Sequence, residues 1–424
     1  MSFQCRIEVQ NSTSMRVGIF TDTYLPDCNG VAAAVSALAR ELTAIGHHAS
    51  IIAPEGGDSF NENFGFNQIY LPAFRHERIP LPLCWSALGS PEFKRIVDSQ
   101  FDIIHAHSLG PVGVYGARVA HRLNIPLVMT IHTDVLAYVT HYRITAGLAT
   151  PLKHILLYQL RKLLETAELQ STRGGQPLEQ LIRCFAAASA CVIMPTEKTA
   201  RKLADYIGNS RLEVCPSGVE LPRREPYGHQ RTSRMQGVIR LLYVGRITAE
   251  KGIPMLLGSI DDLVARGYNI ELTLAGPISV HSGLLRRLRP LVRSGNVRLV
   301  GILSGKDLWK QYRRADIFVF PSTTDTQGLV LHEAAHAGLP IVMVDPLLTI
   351  VSKPGLNAIL SEPSVANLAD AIELTINKLS DSRWREMVDA AGMRLASQYS
   401  LSTQTLKLTS IYGQLINESK DHSA

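Results

Sequence analysis

Two series of short apolar runs, each alternating with longer helical segments, constrain the fold of this 424-residue chain more than any other feature. The runs are nearly continuous valine, isoleucine and leucine, as in strands buried on both faces. Strands that alternate with helices form parallel sheets with helices on both sides. We therefore predict an α/β protein with two doubly wound, Rossmann-like domains facing each other across a cleft. The predicted strands cover 15–21, 48–53, 102–106, 126–131, 190–194 and 212–215, then 238–245, 269–275, 297–301, 316–321, 340–344 and 357–361.

The segment from Pro216 to Gly237 is rich in proline, glycine and charged residues, which is typical of a linker between domains. Helical periodicity fills most of the remaining chain, including an amphipathic segment at 382–416. The predicted organisation is an extension at 1–14, an N-terminal domain at 15–220, a linker at 221–237, a C-terminal domain at 238–381, and helices at 382–424 that pack back toward the N-terminal domain.

The composition excludes several classes of protein. No run of 18 apolar residues is present, so we predict no membrane-spanning helix, and the first 14 residues lack the apolar core of a secretory signal. The six cysteines are scattered, which suits the cytoplasm and argues against a zinc site. The net charge of +6 is compatible with an anionic lipid or a phosphate-bearing substrate. Nucleic acid is not expected as a partner, because no basic stripe with interleaved aromatic residues occurs.

The segment from Val319 to Pro340 carries the clearest functional pattern. It reads as a buried strand, a polar loop with Asp325, a helix opened by Gly328, and Glu333 about one turn inside that helix. A helix N-terminus is a site for anions. The two flanking carboxylates cannot bind phosphate, so we expect them to accept hydrogen bonds from hydroxyl groups. Phosphate and hydroxyl groups together indicate a nucleotide sugar.

A second pattern lies in 241–252, where a strand ends at Gly245 and is followed by Arg246 and Lys251. Arginine can bind two phosphate oxygens at once, and lysine adds a point charge. A charge-assisted hydrogen bond is worth ~1.5–3 kcal/mol, against ~0.3–1 kcal/mol for an exposed helix terminus. The two cations should therefore dominate binding of a diphosphate, with the helix at Gly328 orienting it. The alternative is a pair of surface cations that neutralise Glu250.

Histidines end two of the predicted strands. His105 and His107 lie on one face of the first, and His132 ends the second. Three such histidines could bind a metal, which would indicate a hydrolase. No carboxylate or cysteine lies at clear ligand spacing, so we predict no metal site.

With these motifs, the chain resembles the retaining glycosyltransferases of family 4, which have the GT-B fold, and within them the diacylglycerol-type enzymes. The resemblance runs from Met15 to about Tyr412. It rests on the Gly-Arg-x-x-x-Glu-Lys-Gly element at 245–252, the acidic-x7-Glu element at 325–333, the Pro-Ser-Gly-Val-Glu turn at 216–220, and the Asn-Gly-Val-Ala loop at 29–32.

The resemblance implies a role for each site residue. Arg246 and Lys251 would hold the diphosphate, Glu333 the ribose hydroxyls, and Asp325 hydroxyls of the donor sugar. His132 would bind that sugar near its anomeric carbon. The residues that would act through the backbone are Gly30, approaching the phosphate from the opposite domain, and Gly328, Leu329 and Val330, whose N–H groups would support phosphate or sugar. The family usually has glutamate where this chain has Asp325, which is one methylene shorter.

The implied reaction transfers a hexose from a UDP- or GDP-linked sugar to an acceptor hydroxyl, with retention and with neither metal nor cofactor. The implied acceptor is a membrane lipid or glycolipid, reached by a cytoplasmic enzyme that contacts the membrane through its N-terminal domain. The segment 148–165, with Lys153, Arg161 and Lys162 beside an apolar face, is a candidate for that contact. The alternatives are a soluble sugar, polyol or natural-product acceptor, an epimerase, and a non-catalytic partner that binds nucleotide sugars.

Overall fold

The computed structural model describes residues 14–24, 30–56, 65–74, 83–84, 87–132, 146–164, 176–222, 237–278 and 282–421. The first of two large sheets has seven parallel strands in the order β3-β2-β1-β6-β7-β8-β9. These strands are β1 (Arg16–Phe20), β2 (His48–Pro54), β3 (Asn67–Leu71), β6 (Ile103–Ala106), β7 (Leu127–Thr130), β8 (Cys191–Met194) and β9 (Leu212–Val214). A short antiparallel pair, β4 (Ala73–Phe74) and β5 (Leu83–Cys84), lies outside this sheet.

Helices follow the strands of the first sheet as the alternating pattern predicts. They are α1 (Gly30–Ala44), α2 (Pro91–Asp98), α3 (Pro111–Leu123), α4 (Ala146–Arg161), α5 (Pro177–Ala187) and α6 (Glu197–Ile207). One core cluster joins the sheet to α3, α4 and α5, and a second joins it to α1. The sheet is therefore covered on both faces, which explains why its strands are apolar throughout.

The second sheet has six parallel strands in the order β12-β11-β10-β13-β14-β15. Its strands are β10 (Ile239–Val244), β11 (Ile270–Ala275), β12 (Val297–Gly301), β13 (Ile317–Phe320), β14 (Ile341–Met343) and β15 (Ala358–Leu360). A 3₁₀ turn (Ala249–Lys251) precedes α7 (Ile253–Ala265), and the later helices are α8 (Ser282–Arg293), α9 (Gly305–Arg314), α10 (Leu329–His336) and α11 (Val365–Lys378).

The C-terminal segment predicted to be helical forms two helices, α12 (Ser382–Gln398) and α13 (Leu401–Asp421). Leu395 and Ala396 of α12 pack in the core around α10 of the second sheet. Leu408 and Tyr412 of α13 pack in the core of the first sheet. The break near Tyr399 therefore lets the end of the chain cross from one sheet to the other.

The predicted fold class, with two Rossmann-like parallel sheets, is confirmed, and each predicted strand is present. The sequence prediction missed β3, which lies at the edge of the first sheet. Only Ile69 and Leu71 of this strand are buried, so its sequence lacks the continuous apolar run of the inner strands. The domain boundaries stay predictions. Within the described residues, no helix is both long and apolar enough to span a bilayer.

In each sheet, the strand order reverses between two adjacent strands. The reversal lies between β1 and β6 in the first sheet and between β10 and β13 in the second. Ligands of open parallel sheets bind beyond the carboxyl ends of the strands at this reversal, because the two flanking loops diverge there and leave a crevice. The crevice of the second sheet therefore lies between the loop that follows β10 and the loop that follows β13.

Candidate active site

The loop after β10 carries Arg246 at the reversal point of the second sheet. Gly245 has φ 144°, which lets the chain turn sharply away from the strand. The buried hydroxyl of Tyr243 donates a hydrogen bond of 2.9 Å to the carbonyl of Arg246 and fixes the turn. The Arg246 guanidinium forms an ion pair of 2.7 Å with Glu250, and its side chain is 43% exposed. The cation is thus held by an acid on one side and open to solvent on the other.

Lys251 joins this loop to the loop after β13. Its Nζ lies 2.9 Å from Oδ1 of Asp325. Gly252 permits the approach of the two loops, because a Cβ at this position would lie 2.3 Å from the carbonyl oxygen of Pro321. Oδ2 of Asp325 is buried and has no hydrogen-bond partner among the described residues. This carboxylate oxygen therefore has unused capacity to accept a hydrogen bond.

The loop after β13 ends at α10, whose first turn faces the other half of the molecule. Gly328 precedes the helix with φ 69°. A Cβ at Gly30, the first residue of α1, would lie 3.8 Å from Cδ1 of Leu329. The predicted backbone positions Gly30, Gly328, Leu329 and Val330 are therefore brought together across the interface between the two sheets.

Glu333, one turn into α10, contacts Tyr312 of α9. The tyrosine hydroxyl donates a hydrogen bond of 2.6 Å to Oε2 of Glu333. Burial raises the pKa of Glu333 to about 7, and the hydrogen bond from Tyr312 lowers it only in part. Sequence reasoning missed Tyr312. In the sequence, Tyr312 is a tyrosine on the apolar face of a strongly amphipathic helix. That pattern is common for core residues, so it does not indicate a functional role.

The three strand-end histidines form a cluster at the carboxyl edge of the first sheet, in which His105 and His107 are buried and His132 is partly buried. His107 Nδ1 and His132 Nε2 share a hydrogen bond of 2.7 Å, and their rings stack. His105 is hydrogen-bonded to the hydroxyls of Thr130 and Tyr412 at 2.7 and 2.6 Å. Four ring nitrogens thus have protein partners, while Nε2 of His107 is buried without one among the described residues.

Burial keeps these histidines neutral. It lowers the pKa of His132 to about 4 and that of His105 to about 3, and it lowers the pKa of His107 well below its usual value. At neutral pH, His132 is therefore a hydrogen-bonding group without charge. Within the part of the chain that the structure describes, no three histidine, cysteine or acidic side chains are arranged to hold a metal ion.

The loop 323–327 is held by the first half of the chain. The carbonyl of His132 accepts a hydrogen bond of 2.5 Å from Thr326 Oγ1, and Thr196 Oγ1 donates one of 2.8 Å to the carbonyl of Thr326. The buried amide of Gln327 bonds both backbone groups of Ser217, at 2.8 and 2.7 Å. Sequence reasoning missed these residues, because single polar side chains in loops carry no signal until their partners are known.

The structure thus brings Arg246, Lys251 and Asp325 into one cluster. It joins His132 to the same loop through Thr326. It also places Gly30 near Leu329 and Glu333 against Tyr312. Asn29, the first residue of the Asn-Gly-Val-Ala loop, lies outside the described residues.

Two family models match the chain on either side of the predicted linker. The model described as Glycosyltransferase Family 4 matches residues 28–223. The model described as Glycosyl transferases group 1 matches residues 239–378. Together the two models cover most of the chain, which is therefore a glycosyltransferase of the family 4 type. The resemblance inferred from the motifs at 245–252 and 325–333 is therefore confirmed.

Relatives of this family 4 glycosyltransferase include one enzyme named for a glycolipid and one named for an inositol phosphate. An alpha-monoglucosyldiacylglycerol synthase of Streptococcus pneumoniae is 28% identical over 342 residues, which cover 77% of this chain and 70% of that protein. A D-inositol 3-phosphate glycosyltransferase of Corynebacterium diphtheriae is 24% identical over 414 residues, which cover 91% of this chain and 90% of that protein.

Solved glycosyltransferases share the fold. The structure of Anabaena HepE in complex with UDP and glucose superposes with a TM-score of 0.66 at 16% identity, covering 94% of this chain and all of that one. WaaG, a glycosyltransferase involved in lipopolysaccharide biosynthesis, gives 0.58 at 17% identity, covering 93% of this chain and 99% of that one. At these identities, the likeness establishes the two-sheet GT-B architecture of the family 4 chain and nothing finer.

Proposed function

We propose that this family 4 glycosyltransferase moves a hexose from a UDP- or GDP-linked sugar to an acceptor hydroxyl with retention of the anomeric configuration. The observation that carries the proposal is the cluster of Arg246, Lys251 and Asp325 at the reversal point of the second sheet. The two cations suit a diphosphate, and the acid beside them suits hydroxyl groups. A nucleotide sugar has both groups and fits this crevice better than other common metabolites.

The leaving group is the nucleoside diphosphate. Negative charge builds on it as the bond from the anomeric carbon to the phosphate oxygen breaks. Arg246 and Lys251, with the N–H groups at the start of α10, would stabilise that charge. Two fixed cations supply the charge that a divalent metal supplies in other transferases, so we expect turnover without a metal or cofactor. Glu333 would accept hydrogen bonds from the ribose hydroxyls.

The donor sugar would lie between Asp325 and His132. The unpartnered Oδ2 of Asp325 is the acceptor for a sugar hydroxyl. Asp325 reaches less far than the glutamate that its family usually has, and its Oδ1 is paired with Lys251. Neutral His132 would hydrogen-bond the sugar near the anomeric carbon, where a charged imidazolium would oppose the positive charge that develops on the ring.

Retention by a double displacement needs a carboxylate nucleophile beside the anomeric carbon. Asp325 is engaged with Lys251, and Glu333 with Tyr312. We therefore favour attack on the face that the leaving group vacates. The acceptor oxygen forms the new bond to the anomeric carbon, the electrons of the broken bond stay on the diphosphate, and the departing phosphate oxygen takes the proton of the acceptor hydroxyl.

A membrane lipid or glycolipid is the acceptor that the surface of the first half supports best. A groove of about 710 Å³ lies along α4, where Ile155 and Tyr158 are more than half exposed. Arg118 and Lys162 border this apolar groove, and Lys162 lies over the ring of Tyr158 at 4.6 Å. Apolar contact flanked by cations suits peripheral attachment to an anionic bilayer from the cytoplasmic side. Lys153 lies outside the described side chains.

The relatives support two acceptor classes. The name of the pneumococcal relative specifies a diacylglycerol product, and the groove along α4 favours that class here. The name of the corynebacterial relative specifies D-inositol 3-phosphate, and its match extends over more of this chain. A soluble polyol phosphate is therefore the second candidate.

Transfer to each acceptor class tests the proposal. The protein is incubated with UDP-glucose, GDP-mannose or UDP-N-acetylglucosamine, in EDTA, with diacylglycerol in anionic vesicles or with inositol phosphate. We expect an α-linked glycolipid, identified by the one-bond coupling between the anomeric carbon of the product and its proton. Arg246→Ala should lower kcat by about 10²–10³, the scale for loss of one charge-stabilising group. Arg266→Ala, in a surface ion-pair network, is the matched control.

Each outcome of these assays tests a different part of the proposed function. Product from the soluble acceptor alone would replace the lipid by the second candidate. Full activity of Arg246→Ala would refute the assignment of the diphosphate site, and turnover only with added divalent metal would refute the metal-independent reaction. A β-linked product would refute retention.

A further inference from the structure

Lys198 crosses from the first half of the chain into the loop that carries Asp325. It lies in the first turn of α6, which packs on the first sheet, yet its ammonium group reaches the second. Nζ donates hydrogen bonds to the carbonyls of Asp325 and Thr323, at 2.7 and 3.1 Å. It also lies 2.5 Å from Oδ2 of Asp345, which follows β14. The three contacts use all three protons of the ammonium group.

The ion pair between Lys198 and Asp345 is largely buried and held in one geometry. The side chains of Lys198 and Asp345 are only 13% and 4% exposed, so the ion pair is shielded from solvent. The second carboxylate oxygen of Asp345 accepts a hydrogen bond of 2.9 Å from the backbone N–H of Leu347, which fixes the acid. A lysine that loses such partners would leave its charge buried and unpaired, which is strongly unfavourable. The ammonium group therefore has one stable position when the two sheets are in contact.

What Lys198 holds is the backbone of the predicted sugar-binding acid. The carbonyl of Asp325 is bound to Lys198, its Oδ1 to Lys251, and its Oδ2 is left over. The direction of Oδ2 therefore depends on one contact from each half of the chain. Lys251 and Asp325 belong to the same half and can stay paired if the halves separate, whereas the contact with Lys198 cannot persist.

We propose that Lys198 is a positioning residue that orients Asp325 toward the donor sugar and does so only while the two halves of the enzyme are in contact. This role rests on the proposed function, since it assumes that Asp325 binds the sugar. Lys198 touches neither Arg246 nor Lys251 among its described hydrogen bonds, so the site for the diphosphate would not depend on it. Lys198 would therefore act on the sugar part of the donor and not on its nucleotide part.

Calorimetric titration with a nucleotide sugar and with the bare nucleoside diphosphate tests this role. Lys198→Met should weaken binding of the nucleotide sugar by about tenfold, within the range of coupling between contacting groups. Its affinity for the bare diphosphate should stay within about twofold of wild type, since a group more than one contact away couples weakly. Lys202→Met, an exposed lysine one turn later on α6, is the matched control and should change neither affinity.

A double-mutant cycle with Asp325→Asn separates positioning from general support of the fold. If Lys198 acts through the Asp325 carboxylate, Lys198→Met should have no further effect on nucleotide-sugar affinity in the Asp325→Asn background. Equal losses in both backgrounds would overturn the role, as would equal losses for sugar nucleotide and bare diphosphate. Asp345→Asn, which weakens the anchor from the other side and keeps the lysine, should reproduce the pattern if Lys198→Met does not fold.

The result for the wild-type protein keeps the two proposals apart. Wild type that binds no nucleotide sugar would refute the proposed function and, with it, the role of Lys198. Wild type that binds nucleotide sugar while Lys198→Met and Asp345→Asn bind it equally well would refute the role of Lys198 alone.

Discussion

At the scale of single residues, burial sets the chemistry of the site more than formal charge does. Glu333 has a pKa raised to about 7 and His132 a pKa lowered to about 4, and burial is the largest cause of both shifts. An acid that is half protonated near neutrality and a histidine that stays neutral are both suited to hydrogen bonding with hydroxyl groups. Sequence motifs identify these residues, but they do not give these protonation states.

The raised pKa of Glu333 predicts how a neutral substitute changes stability with pH. In the unfolded chain, glutamate ionises near its usual pKa of about 4.5, whereas in the folded chain it holds its proton up to about 7. The free energy of unfolding therefore falls as the pH rises through this window. Glu333→Gln should remove that loss and stabilise the protein by roughly 1–3 kcal/mol at about pH 8, at 1.36 kcal/mol per pKa unit.

Urea unfolding at two pH values measures this effect. At about pH 5, the wild-type side chain is neutral in the folded state, so Glu333→Gln should change the free energy of unfolding by less than about 1 kcal/mol. The same shift at both pH values would contradict the account. Glu386→Gln, at an exposed position of α12, is the control and should show no such pH dependence.

At the scale of elements, the site depends on one close approach between the loop after β10 and the loop after β13. Gly252 ends the 3₁₀ turn with φ 74° and contacts the backbone of Pro321. The approach brings Lys251 within reach of Asp325. Two features therefore favour glycine at position 252: the backbone is left-handed, and there is no space for a Cβ.

Alanine substitutions at the two ends of α7 distinguish the cost of the left-handed backbone from the cost of the steric overlap. Gly267 also has a left-handed backbone, with φ 92°, but faces open space. Gly267→Ala should cost about 1–2 kcal/mol for the left-handed conformation. Gly252→Ala should cost a further amount of about 1–3 kcal/mol for the steric overlap, and it should also weaken nucleoside diphosphate binding. Chemical unfolding and calorimetric titration measure the two effects. Equal costs at both positions would mean that the loops can separate freely.

At the scale of the whole molecule, the two chain segments that cross between the sheets are hydrogen-bonded to each other. The N–H of Gly218, on the way to the second sheet, donates a hydrogen bond of 2.7 Å to Gln404, on the way back. Val219 and Ser400 form a parallel bridge beside it. The last helix, α13, then packs in the core of the first sheet. The stability of the first half therefore depends on residues near the end of the chain.

A leucine pair on α13 tests this dependence. Leu408 is 1% exposed in the core of the first sheet, whereas Leu406 is 44% exposed. Leu408→Ala should lower the free energy of unfolding by about 2–5 kcal/mol, the usual cost of a cavity. Leu406→Ala should stay within about 0.5 kcal/mol of wild type, as at most surface positions. Calorimetry on the full chain measures both, and a Leu408→Ala protein as stable as wild type would show that α13 detaches without cost.

The sequence by itself determined the architecture and the position of the residues that we propose bind the diphosphate. Continuous apolar strands separated by helices allow few alternatives to two parallel sheets, and the motifs at 245–252 and 325–333 follow strands that end at one edge. These signals are local, because each depends on residues a few positions apart.

Only the tertiary structure decided which groups meet across the two halves. In each of these contacts the two partners are 110 residues or more apart in the sequence, and the residues around them do not indicate the contact. The pairs are Lys198 with Asp325, Thr326 with His132, Gln327 with Ser217, and Tyr412 with His105. Tyr312 and the protonation of Glu333 were equally hidden, because burial is a property of everything that packs around a side chain. A hydrogen bond between distant residues leaves no periodic pattern in either segment, so it becomes visible only when the chain is folded.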